Sequence, residues 1–373
     1  MKLAIITSRY PKENQPYNHM FVHVRALYFQ SQGVDVTILV PAKNKNQYTY
    51  QGIQVIENLA KEIKIDLAHY DLLYLHLLNQ YPTKDGGFSI YNEIGKRKYK
   101  TALYLHGSDV LVYPDYLYDF KWSLKGIAKY LYINSWNHYL MSRFLNKISL
   151  FNTYVMLTPS QWMKNHTEKI FKRTFQNFYA IPNGIDTQLF DVPFTYENRF
   201  KLITIRPLND PKYGVDMSIE LMRFLPDTFT LDIYGKGFLK TEYENLIKHY
   251  KLEKRVKLID DFIERNELPM LFANYGMFLA FSRFDSQGVI MCEAMASRLL
   301  TISNFNSAIP EFIRANQTGL VNDNMEELAK DIGRISQDKQ LLEKLVENGR
   351  ISMEQINWYK QGEKELEVLR KLV

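Results

Sequence analysis

The feature that most constrains this 373-residue sequence is an alternation, repeated in two successive halves, of short apolar runs with segments of helical periodicity. In the first half the runs are Lys2–Thr7, Val34–Val40, Asp71–Leu78, Thr101–His106, Tyr154–Thr158 and Phe178–Ile181, with helical stretches such as His19–Ser31 and Gln161–Arg173 between them. The second half offers Lys201–Ile205, Phe229–Tyr234, Val256–Ile259, Met277–Phe281, Leu300–Ser303 and Gly319–Asn322. Its helical segments are Val215–Phe224, Leu239–Tyr250, Gly288–Ser297 and Met325–Ile335. Strands that alternate with helices form parallel sheets buried on both faces. The fold class expected is therefore α/β, as two doubly wound domains, which also suits a chain too long for one ordinary core. The expected division is 1–190, 191–355 and a helical tail, 356–373, that follows an interruption near Asn357–Trp358 and crosses back to the first domain. In such sheets ligands sit at the carboxyl ends of the strands, so the residues that follow each strand are the candidates for chemistry.

Charge divides along the same line. Residues 1–190 carry 22 Lys and Arg against 13 Asp and Glu, whereas 191–373 carry 25 against 28, within an overall charge of +6. Only the first half is suited to an anionic partner. Its segment 121–151 holds Lys121, Lys125, Lys129, Arg143 and Lys147, interleaved with Trp122, Tyr130, Tyr132, Trp136, Tyr139 and Phe144, and contains no acidic residue. That pattern fits contact with an anionic membrane surface, and equally a solvated helical hairpin packing its aromatics inward. No nucleic-acid-binding module accompanies the charge, and no G-x-S-x-G follows a strand, so neither nucleic-acid binding nor a serine hydrolase is expected. A single cysteine, Cys292, excludes an intrachain disulfide and favours a reducing compartment. The apolar run Leu3–Ile6 is too short for a signal peptide or a span. The expected location is the cytoplasm, with any membrane contact at the inner face of the cell membrane.

The strand ends are where the candidates collect. After Met277–Phe281 the chain reads Ser282-Arg283-Phe284-Asp285-Ser286-Gln287-Gly288-Val289, leading into a helix that carries Glu293. A helix N-terminus there favours a phosphate, Asp285 can accept from hydroxyls, and Glu293 from a ribose. The plain alternative has Asp285 capping the helix and Glu293 on a solvated face. Arg206 follows Lys201–Ile205, with Lys212 and Gly214 further along the same Pro-containing loop, and two cations so placed suit a diphosphate. Gly235, in Tyr234-Gly235-Lys236-Gly237, marks a close backbone approach. His106, in His106-Gly107-Ser108-Asp109, could reach a substrate oxygen, although a lone histidine more often has a structural role. Pro182-Asn183-Gly184-Ile185-Asp186 is a turn signal in its own right.

Taken in order, these segments resemble the retaining glycosyltransferases of family 4. The family's E-x7-E segment corresponds to Asp285 and Glu293 followed by Ala294-Met295-Ala296. The resemblance also covers the His106 segment, the Pro182–Asp186 turn, Arg206 with Lys212, the Gly235 turn, Ile309-Pro310-Glu311 and Thr318-Gly319-Leu320-Val321, and so runs through nearly the whole chain. It implies a GT-B fold, two Rossmann-like domains facing a cleft, with the acceptor in the first and a nucleotide sugar in the second. By position it implies that Arg206 and Lys212 stabilise the diphosphate leaving group. Asp285, with the amides of Gly288 and Val289, holds the donor sugar and phosphate, Glu293 holds the ribose, and His106 faces the sugar. Two departures stand out. Aspartate replaces the first glutamate, and Ser286-Gln287 stands for Gly-Phe, Gln287 adding a contact for a sugar hydroxyl. The usual Gly-Gly after the first strand is replaced by Pro16-Tyr17-Asn18-His19, where Asn18 would keep the left-handed turn.

The resemblance thus implies a retaining hexosyltransferase that needs no metal and no cofactor beyond its nucleoside-diphosphate sugar. The absence of any D-x-D triplet agrees with metal independence. The acceptor expected is a hydroxyl of a glycan, a lipid-linked saccharide or a surface polysaccharide such as capsule or lipopolysaccharide, in a bacterium. Two alternatives share the fold: a nucleotide-sugar epimerase, and a carbohydrate- or nucleotide-binding relative without catalysis.

Overall fold

Runs such as Lys2–Thr7 and Leu72–His76, apolar at nearly every position, can be buried only in a sheet covered on both faces, and that is where the chain places them. The computed structural model describes all residues except 14, 16, 17, 79, 81–85, 108, 113, 114, 116–121, 151, 152 and 262. Pro16, Tyr17, Ser108, Lys121 and Phe151 of the segments above lie outside the described residues. The chain forms two units, Met1–Pro182 with Tyr359–Val373, and Asn183–Trp358.

The first unit holds an eight-stranded sheet: β1 Lys2–Thr7, β2 Asp35–Pro41, β3 Asn46–Tyr50, β4 Ile53–Asn58, β5 Leu72–His76, β6 Thr101–Tyr104, β7 Tyr154–Thr158 and β8 Phe178–Ala180. Their order is β3-β4-β2-β1-β5-β6-β7-β8, and every pair is parallel except β3–β4. Ile5 of β1 lies opposite Ile38 of β2 and Tyr74 of β5. The β3–β4 hairpin is not evident in the sequence. Its outer strand, Asn-Gln-Tyr-Thr-Tyr, is polar because it lies at the sheet edge, and Gln51-Gly52, both at positive φ, supply the two-residue reversal.

The second unit holds β9 Lys201–Ile205, β10 Thr230–Tyr234, β11 Val256–Ile259, β12 Met277–Leu279, β13 Leu300–Ser303 and β14 Leu320–Val321, all parallel, in the order β11-β10-β9-β12-β13-β14. Leu202, Ile233, Phe281 and Ile302 lie in its core, under helices contributing Ile219, Ile247 and Leu345. Each sheet has one place where the winding reverses, between β1 and β5 and between β9 and β12, and such switch points open a crevice at the carboxyl ends.

The first unit ends at Pro182 because Asn183–Asp186 is already tied into the second. Ile185 N–H donates to the Ile356 carbonyl and Trp358 N–H to the Ile185 carbonyl, both at 2.9 Å. A Cβ on Gly184 would stand 2.2 Å from Trp358 Cα, so glycine is required where the strands of chain cross. The tail breaks where the sequence suggested, between helix Lys339–Glu354 and helix Trp358–Arg370.

The described residues 122–150 of that segment do not form a hairpin. Leu124–Leu131 is α-helical, Tyr132–Asn137 is a π-helical turn and His138–Ser149 is α-helical again, in one uninterrupted run. Among the described residues no helix is long and apolar enough to cross a membrane.

Candidate functional site

Topology alone gathers three loops of the second unit. Because β10, β9 and β12 are adjacent and parallel, the loops after them, carrying Gly235, Arg206–Gly214 and Ser282–Gly288, emerge at one edge beside the switch point. Gly214, in the left-handed conformation, packs so tightly that a Cβ would lie 2.9 Å from the Phe281 carbonyl carbon. The Arg283 amide donates to the Lys212 carbonyl at 2.6 Å, and the Arg283 guanidinium donates to the Pro211 carbonyl and both oxygens of Asp216. Arg206 and Lys212 are thereby fixed against the loop that bears Asp285.

Arg206 is 4% exposed, yet its Nε and one terminal nitrogen have no hydrogen-bond partner. Burial lowers the guanidinium's hold on its proton, and the charge of Asp285 opposes that effect. The Arg206 guanidinium and the Lys212 ammonium lie 5.7 and 4.7 Å from the centre of the Tyr213 ring. Tyr213, which the sequence did not single out, therefore lies close to both cations. A buried cation with two unused donors is costly to the fold and suited to an incoming anion.

Asp285 spends one oxygen on its own loop. Its Oδ1 accepts from the amides of Gln287 at 3.1 Å and Gly288 at 2.6 Å. The helix begins at Val289, with Gly288 as its left-handed cap, and the first helical bond runs from Cys292 to the Gly288 carbonyl. The Gly288 amide expected for a phosphate is thus engaged by Asp285. The amides of Val289, Ile290 and Met291 precede the helical ladder and are the first-turn donors. Glu293, 4% exposed, accepts from Arg265 Nε at 3.0 Å. Burial raises its proton affinity and Arg265 opposes the rise. Arg265 lies in a loop without a motif, so only the three-dimensional structure reveals it.

Two residues expected at the donor also hold the second unit's own backbone together. Gln287 is buried, and its carbonyl accepts from the Asn183 amide and side chain at 2.7 and 2.6 Å while its Nε2 donates to the Asn183 carbonyl at 2.8 Å. Its carbonyl and one hydrogen of its Nε2 are thus engaged by the turn at 183 within the second unit. Gly235 is required because a Cβ would stand 1.9 Å from the Arg206 carbonyl oxygen, and one on Gly237 would stand 2.1 Å from the Leu208 carbonyl carbon. The close approach read from the sequence is made to the Arg206 loop.

The first unit has its own cluster at the switch point. His76, at the end of β5, and His106, just after β6, meet at 3.1 Å, and His19, after β1, contacts Thr7 Oγ1 at 2.8 Å. The rings of Phe21 and Tyr104 lie tilted against His106, with centroids at 4.6 and 4.5 Å. His106-Gly107 forms a turn closed by Asp109, which accepts from both amides. Asn18 bonds Gln15 at 2.6 Å, and the left-handed residue of that turn is His19, φ 52°, held by its bond to Thr7.

Burial, followed by the charge of Arg9, lowers the His19 pKa to about 4. Burial, then Arg25, holds His76 and His106 well below the usual imidazole value. Depressed imidazoles stabilise the fold fully above their unfolded pKa near 6.5, and that contribution is lost as pH falls. Asp109, raised by burial to about 6, acts oppositely and offsets part of the loss. The net expectation is lower stability at pH 5.5 than at pH 7.5. Denaturant unfolding of the first unit at the two pH values checks this, and equal midpoints would refute it.

Residues 187–352 match the family model for glycosyl transferases group 1. The chain is 26% identical over 138 residues to an alpha-monoglucosyldiacylglycerol synthase of Acholeplasma laidlawii, covering 37% of this chain and 34% of that protein. It is 24% identical over 221 residues to a probable sucrose-phosphate synthase of Thermosipho melanesiensis, covering 57% and 51%. The matches thus span about a third and about half of these relatives' length. The structure is similar to that of Anabaena HepE in complex with UDP and glucose, with a TM-score of 0.74, 16% identity and full coverage of both chains. At that identity the likeness establishes the fold, two parallel-sheet domains of the GT-B type.

Proposed function

We propose that the chain, whose residues 187–352 match the family model for glycosyl transferases group 1, is a retaining glycosyltransferase that uses a UDP-hexose donor. The observation that carries the reading is Arg206, a buried guanidinium with two unused donors at a switch point. HepE, similar in fold, is seen with UDP and glucose, which supports the choice of donor.

In this reading the diphosphate lies against Arg206, Lys212 and the amides of Val289–Met291. The free oxygen of Glu293 accepts from a ribose hydroxyl while Arg265 fixes the other. Breaking the bond between the anomeric carbon and the phosphate oxygen leaves positive charge on the sugar and added negative charge on the diphosphate. Fixed cations in a dehydrated site stabilise that charge more in the transition state than in the ground state. The released phosphate oxygen takes the proton of the attacking hydroxyl on the same face, which retains the anomeric configuration. The charge is met by side chains, so the reaction is proposed to need no divalent cation. The acceptor proposed is a hydroxyl of a glycan or lipid-linked saccharide.

The test is to incubate the protein with radiolabelled UDP-glucose, UDP-galactose and UDP-N-acetylglucosamine, with and without candidate acceptors and with EDTA. Labelled product or UDP release that persists in EDTA supports the reading. Isomerised donor without acceptor would identify an epimerase, and no donor binding by calorimetry would refute the assignment.

A further inference from the structure

We infer that the helical run from Trp122 to Tyr139 is a docking surface for an anionic lipid bilayer. An amphipathic helix normally exists because its apolar stripe is buried against something. In Leu124–Leu131 the stripe is Leu124, Ile127 and Leu131, at helical spacing, and no residue of that helix is buried. Leu124 is 89% and Leu131 55% exposed, with Trp122 at 88% just before them. Exposed Trp136 and Tyr139 continue the surface through the π-helical turn. The second half of the same run behaves differently, burying Leu140, Met141, Phe144, Leu145 and Ile148. The run is therefore anchored at its C-terminal end and presents its N-terminal half outward.

The chemistry of that half selects its occupant. Lys125 and Lys129 sit one helical turn apart, and no acidic residue occurs from 121 to 151. Lys147, further along the run, packs against Gly95, which leads into the exposed Lys96 and Lys98. Trp and Tyr favour the headgroup level of a bilayer, Lys stems lie along apolar surface while their ammonium groups reach phosphates, and clustered cations add attraction to anionic lipid. A protein partner fits less well, because Lys is depleted from the buried centres of protein interfaces. A second copy would set these cations against each other.

Co-sedimentation with phosphatidylcholine vesicles, with and without phosphatidylglycerol, tests the inference without reference to transfer activity. The wild-type protein is expected to pellet with the anionic vesicles and to be released by salt. K125E/K129E is expected to bind at least about tenfold more weakly, and W122A/W136A to lose the blue shift of tryptophan fluorescence on binding. These side chains are exposed, so circular dichroism should match the wild type. Absence of binding to anionic vesicles, or equal binding by both variants, would overturn the inference. So would a dimer, seen by light scattering, that the same variants dissociate.

Discussion

Arg206→Met should lower the turnover number for sugar transfer by about 10²–10³-fold while leaving the protein at least as stable as the wild type. The two halves of that expectation rest on one fact. The buried guanidinium has two nitrogens without partners, so it contributes no matching hydrogen bonds to offset its desolvation. Methionine keeps most of the volume and removes the cost. A structural arginine would show the reverse, a lower melting temperature with activity falling only as folded protein is lost. Lys212→Ala should show a comparable fall in turnover, because Lys212 and Arg206 both lie beside the Tyr213 ring. If the donor KM rises and the turnover number is unchanged, the cations bind the ground state and the transition state alike. Wild-type turnover in Arg206→Met would remove the leaving-group role altogether.

The sequence showed these two cations because they follow a strand with a buried Leu-Ile-Thr centre in a parallel sheet, where position along the chain translates directly into position at the carboxyl edge. It did not show Arg265, whose partner Glu293 is 28 residues away and whose loop carries no periodic signal. The packing partners of Gln287 and Gly235 were not legible for a related reason. A polar side chain beside a site and a glycine after a strand announce a close contact, but the partner, here Asn183 or the Arg206 carbonyl, is set by tertiary packing. The left-handed residue after β1 went to His19 and not to Asn18, since a bond to Thr7 outweighs intrinsic preference. The β3 strand was missed because an edge strand need not be apolar. For Leu124–Leu131 the periodicity announced an apolar stripe, and periodicity is blind to whether a stripe faces inward or outward.

The tail of the chain yields the largest expected change in stability. Arg25→Ala should destabilise the first unit by about 3–5 kcal/mol, because it strands a buried carboxylate. Arg25 Nε lies 3.0 Å from both oxygens of Glu365, one of which also accepts from Tyr74 O–H at 2.7 Å. The guanidinium stacks 4.1 Å from the centre of the Tyr104 ring and donates to the Phe21 carbonyl at 3.0 Å. This network ties the C-terminal helix to helix Met20–Ser31 and to β5 and β6 within the first unit, across 340 residues of chain. Gly362 allows the approach, since a Cβ there would lie 2.5 Å from the Tyr28 ring. Replacing both partners with apolar residues, as in R25M/E365L, should cost far less than either single change, because no charge is then left unpaired. The Arg25 change also removes a charge that depresses the proton affinity of His76 and His106, so the stability lost between pH 7.5 and 5.5 should shrink in Arg25→Met. Unfolding curves of the single and double variants at both pH values check all three expectations. Strict additivity of the single changes would show that the pair is not a unit, and that the tail is held by its apolar contacts alone.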